Sequence, residues 1–105
     1  MLNLFSTKKE KEKATQLVDT LVKLLPPKVI DGKRKVLSVN KISGTLEKIY
    51  ADAAQFTLEH KSGFYKRSVL ANTFRWALDE KGYPKDFINM ATEGLVIEIS
   101  RVKKS

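Results

Sequence analysis

"GLVIEISRVKK", Gly94 to Lys104, is the stretch whose reading decides the fold. Leu95, Ile97 and Ile99 alternate with Val96, Glu98 and Ser100, and the run is rich in β-branched residues. That pattern predicts a short strand with one face in water. Three cations follow it: Arg101, Lys103 and Lys104. A second stretch, "KRKVLSV" from Lys33 to Val39, has the reverse order, with cations first and an apolar run after. It reads as another strand, over residues 34–39, entered from the turn signal Asp31-Gly32. "PPKVI", on the other side of that turn, reads as a weaker strand.

A lone strand leaves its backbone groups unpaired, so the two distant runs are expected to pair with each other. Antiparallel pairing brings Lys33, Arg34 and Lys35 beside Arg101, Lys103 and Lys104 as one basic patch. Parallel pairing sends the two clusters to opposite ends. Antiparallel pairs are about two- to three-fold commoner.

The remaining segments read as helices. Thr7 and Glu10 have the spacing of a capping box, and Ala14, Leu17, Val18, Leu21, Val22, Leu24 and Leu25 follow at helical intervals. Pro26-Pro27 ends that helix. From Gly44 to His60, Leu46, Ile49, Tyr50, Ala53, Phe56 and Thr57 share one face. A further helix runs from Phe64 to Lys81, with Gly82 at its C-cap and Pro84 beyond. A short helix from Pro84 to Glu93 is expected to stop at Gly94. The predicted fold is therefore α+β and mainly helical: about four helices with a small antiparallel sheet of two or three strands. It forms one compact domain over residues 1–105, with residues 1–6 and 103–105 as flexible ends.

Charge is unevenly placed. The chain carries a net +8. Residues 28–35 hold Lys28, Lys33, Arg34 and Lys35 against Asp31, a net +3, and residues 101–105 add another +3. Residues 36–100 are neutral, with eight basic and eight acidic side chains. Lys33, Arg34, Lys35, Arg101, Lys103 and Lys104 are accordingly the candidate phosphate contacts for DNA, RNA or another polyanion. Cations at turn flanks and chain ends also serve solubility and protect sheet edges, a competing reading. The neutral remainder of the chain weighs against a nucleic-acid module.

The helix from Phe64 carries two apolar stripes. Phe64, Leu70, Ala71, Phe74, Ala77 and Leu78 form the expected core face. Tyr65, Val69 and Trp76 lie well round the cylinder. Either the helix is sandwiched, or this second stripe meets a partner protein, with homodimerisation as the economical case. Just before it, Ser62-Gly63 at a helix N-terminus, with Lys61, Lys66 and Arg67 nearby, is a weak candidate anion site. Ser62 as a plain N-cap is the simpler reading, and Arg67 projects toward the core, where it is expected to pair with a carboxylate.

Little points to catalysis. There is no cysteine, hence no disulfide and no thiolate nucleophile. His60 is the one histidine and lies in the last turn of its helix, where a capping or half-buried role suits it better than general-base chemistry. The acids are scattered without metal-ligand spacing, so neither a metal nor a cofactor is expected. No apolar run approaches a membrane span. "MLNLF" with Lys8 and Lys9, within residues 1–9, has the apolar-plus-basic character of a weak peripheral membrane contact. The expectation is a non-enzymatic, cytoplasmic binding protein. It contacts nucleic acid or an acidic partner through the basic patch or, alternatively, serves as an interaction adaptor through Tyr65, Val69 and Trp76.

Overall fold

The computed structural model describes residues 6–30 and 39–103. Five helices appear: α1 (Lys8–Leu24), α2 (Pro27–Ile30), α3 (Val39–Glu59), α4 (Phe64–Glu80) and α5 (Lys85–Ser100). No strand is present among the described residues, so the architecture is all-α and the expected α+β fold with its antiparallel sheet is wrong.

The error centres on Leu95–Ser100, which is the last part of α5. Phe87, Ile88, Ala91, Thr92, Leu95 and Ile99 are buried, and they recur at helical, not alternating, intervals. Ile97, which alternation would place inside, is 51% exposed. Helix propensities of β-branched residues fall only about half a kcal/mol or so below that of Ala, and burial of a helical stripe outweighs that deficit. Gly94 does not end the helix. A Cβ built there would lie 2.7 Å from Tyr50 Cζ. Tyr50 Oη donates a hydrogen bond to the Ala91 carbonyl at 2.8 Å, one turn earlier on α5. Gly94 is thus a notch that lets the Tyr50 ring lie against the α5 backbone.

"PPKVI" is not a strand either: Pro27 opens the single turn of α2, where a missing N–H costs nothing. Val39, expected in a strand, begins α3, and the helix runs through Ser43-Gly44. The Asp31-Gly32 turn and residues 33–38 lie outside the described residues. Thr7 is the N-cap of α1 but its side chain makes no capping bond. Glu10 is buried at 3% exposure in the first turn, where the helix dipole favours an acid.

Four long helices surround one core. Helix α1 packs on α3 and α4, and α5 packs on the same two, so α3 and α4 occupy opposite corners. Phe74, Leu17, Leu21, Leu70, Leu78 and Leu95 are fully enclosed. Each contributes about 1.5–3 kcal/mol of transfer free energy. Polar contacts fix the directions. Tyr83 Oη donates to the Leu25 carbonyl at 2.6 Å and Lys81 approaches Asp19 at 3.7 Å, so α1 and α4 run parallel. Lys13 meets Asp52 at 2.8 Å, and α3 therefore runs opposite to α1. Arg75 donates to Asn89 at 2.7 Å across the antiparallel pair α4 and α5. One end of the bundle thus gathers the N-termini of α1 and α4 with the C-termini of α3 and α5.

Candidate functional sites

The gathered end is built around the loop from α3 to α4. Helix α3 closes with two reversed bonds: Ser62 N–H donates to Thr57 O at 3.0 Å and Lys61 N–H to Leu58 O at 3.2 Å. This is a Schellman closure, whose turning residue must be left-handed. Glycine is usual there, yet the residue is Lys61, at φ 49°. At the end of α4 the same closure, Tyr83 N–H to Leu78 O and Gly82 N–H to Asp79 O, uses Gly82 at φ 92°.

Arg67 does not pair with a carboxylate, contrary to the sequence expectation. Its Nε donates to Ser62 O at 2.8 Å, Nη1 to Ile99 O at 2.6 Å and Nη2 to Val102 O at 2.8 Å. Ionised donors make the stronger hydrogen bonds, and a cation suits the carbonyl end of a helix. One guanidinium therefore ties the interhelix loop, the start of α4 and the end of α5. Ser62 is not the N-cap. Gly63 holds that position and no side chain caps α4. Ser62 is 1% exposed, and its Oγ has no hydrogen-bond partner. Lys61 is exposed and Lys66 half-buried beside it.

Between the start of α4 and the end of α5 lies a cavity of about 520 Å³, lined by Ser62, Gly63, Arg67 and apolar groups of both helices. Phe64, expected on the core face, stands 88% exposed at its rim. It is the first residue of α4. His60 is exposed, stacks on Phe56 at 4.1 Å and takes no part in the cavity.

The antiparallel strand pairing expected to assemble the six-cation patch is absent among the described residues. Its geometry required Leu95–Ser100 to be a strand, and that segment is helical. Lys33, Arg34, Lys35 and Lys104 lie outside the described residues. Arg101 and Lys103 are exposed just past α5, and Arg101 pairs with Glu98 at 3.2 Å. The bond from Arg67 to Val102 puts these two cations at the end of the bundle that also holds Lys61 and Lys66.

The second stripe of α4 faces outward. At about 100° per residue, Tyr65, Val69, Asn72 and Trp76 point away from the buried set Leu70, Phe74, Ala77 and Leu78. Tyr65 is 57% and Trp76 61% exposed, so the helix is not sandwiched. Trp76 also borders a groove of about 580 Å³ with Arg75, Asp79, Lys85 and Asn89. Sequence reasoning missed the outward Ile97 of α5, at 51% exposure, because it read Ile97 as a strand interior, and it did not single out Met90, at 47%.

Burial pushes the Tyr50 hydroxyl up to about 12, with the nearby Glu98 charge adding to it, and burial alone pushes Tyr83 up to about 12. Both stay protonated donors at neutral pH. Among the described residues no three His, Cys, Asp or Glu side chains converge as metal ligands, and no helix is long and apolar enough to cross a membrane. Compared with protein-family models, curated proteins and solved structures, the chain matches none.

Proposed function

We propose that this is a non-catalytic, cytoplasmic interaction protein that docks a partner helix on the outward face of α4, with the pairing of two copies as its simplest form. The observation that carries the reading is the exposure of Tyr65 and Trp76, at 57% and 61%, on a face the core does not use. Large aromatic side chains supply most interface energy at little entropic cost, and four residues spaced 4-3-4 make a seam that a second helix can follow. Sedimentation over a wide concentration range tests it. Trp76→Ala should abolish association and leave the monomer folded. A wild-type chain that stays monomeric at millimolar concentration contradicts the self-pairing form.

A polyanion partner is the second reading. It is favoured by the Arg67 bond to Val102, which brings Arg101 and Lys103 to the end that also holds Lys61 and Lys66. Lys8, Lys9 and Lys11 start α1 at that end. On this reading, affinity for single-stranded DNA or RNA falls steeply with salt, and reversing Lys61 and Lys66 to Glu flattens the slope. Binding that ignores salt contradicts it.

A further inference from the structure

We propose that the cavity between the start of α4 and the end of α5 binds an aliphatic carboxylate. The site meets the outward face of α4 only at Asn72, and it does not depend on that face having a partner. Its volume, about 520 Å³, lies within the roughly 300–1,000 Å³ range of small-molecule pockets. Ala71, Val96, Ile99 and Val102 supply apolar wall, and the exposed Phe64 ring stands at the rim, where a bound chain would cover it.

Three polar groups at the start of α4 share one preference. Helix α4 has no side-chain cap, so the amides of its first turn remain free to meet an anion. Arg67 spends three donors on carbonyl oxygens, and a guanidinium has five, leaving one N–H on each terminal nitrogen. Its full positive charge exceeds the half-charge of the α5 C-terminus that it caps. The independent observation is Ser62. Its side chain is 1% exposed, forms part of the cavity wall, and carries a hydroxyl with no partner. Thr92, the other such hydroxyl among the described residues, does not line this cavity. The Ser62 Oγ is itself enclosed, and a turn about its Cα–Cβ bond on binding would let an arriving carboxylate oxygen supply its missing acceptor. A carboxylate suits the site better than a phosphate, because the Ser68 and Ser100 hydroxyls that also line the cavity already donate to Phe64 O and Ile97 O, and, Asn72 apart, the remaining walls are apolar. A phosphate would leave charged oxygens unsatisfied against them.

The test is a titration of the full chain with monomeric decanoate, followed by amide NMR shifts and calorimetry, with decanol and decylamine as matched probes. Decanoate should give saturable shifts confined to residues 62–71 and 96–102. Decanol should bind about tenfold more weakly or worse, having lost the charge-assisted bonds, and decylamine weaker still. Ser62→Ala should weaken decanoate several-fold. Val96→Glu, at an already exposed wall position, should weaken it about tenfold by like-charge repulsion while the spectrum stays that of a folded bundle. No saturable binding of decanoate at millimolar concentration overturns the proposal. So do equal affinities for the three probes, which would mark an apolar groove without anion recognition, and so do shifts centred on Trp76.

Discussion

Helix α4 ends the same way that α3 ends, yet the two corners differ. At the α4 C-terminus the left-handed position is Gly82, and Tyr83 is buried, donates to Leu25 and stacks on Phe87 at 4.9 Å. At the α3 C-terminus, where α4 begins, the left-handed position is Lys61, and a buried hydroxyl lacks a partner. A phenylalanine stands in solvent and a cavity opens. The first corner uses residue types that suit their backbone and satisfies its polar groups. The second keeps strain and unmet bonding capacity. Such defects persist where the surrounding fold holds them in place, and they collect at binding sites. The comparison therefore assigns stability to the Tyr83 closure and small-anion recognition to the Lys61–Ser62 corner.

The strongest way to break that division is to remove the group that holds the open end. Arg67→Ala should cost about 2–4 kcal/mol in urea denaturation, because it deletes three charge-assisted bonds and strands their carbonyl acceptors. Arg67→Lys should recover little, since an ammonium cannot reach three carbonyls in a plane. A loss under about 0.5 kcal/mol, the usual scale of a neutral surface change, would mean that the corner does not depend on the arginine.

The closures should respond with opposite signs. Gly82→Ala puts a Cβ on a residue at φ 92° and should destabilise by about 1–2 kcal/mol. Lys61→Gly relieves a non-glycine left-handed residue and should stabilise by about 0.5–1 kcal/mol. Equal signs for the two substitutions would erase the difference between the corners.

Alkaline titration separates the corners more gently. Tyr83 serves the closed end and Tyr50 the α3–α5 contact. Their folded pKa values, about 12, lie above the ordinary value of 10.0 for an unfolded tyrosine. Their contribution is therefore complete below about pH 10 and is lost as pH rises through about 12. Tyr83→Phe should remove part of that decline, measured as urea midpoint against pH, at the cost of the bond to Leu25.

Much of the bundle was legible in the sequence because its signals are local. The Pro26-Pro27 stop, the Gly82 closure and the face of Leu46, Ile49 and Ala53 all lie within a turn or two of the residues they govern. Helix α5 was misread for a definite reason. Leu95 and Ile99 fit an alternating pattern and an i, i+4 pattern equally, and Gly94 reads locally as a stop. What makes Gly94 a notch is Tyr50, whose hydroxyl bonds Ala91, 41 positions along the chain from it. The outward stripe of Tyr65, Val69 and Trp76 was visible as a periodicity, whereas its exposure depended on where α1 and α5 pack. The Ser62–Arg67 corner was marked by composition, but the work of Arg67 as the tie for α5 follows from the unforeseen length of that helix.

Ser62→Ala, assayed for urea stability and decanoate affinity on the same sample, bears most directly on the division between the two ends. Removing an unpartnered buried hydroxyl should raise stability by about 0.5–1 kcal/mol and at the same time weaken decanoate several-fold. A variant that is less stable, or that binds decanoate as well as the wild type, would contradict the assignment of the open end to recognition.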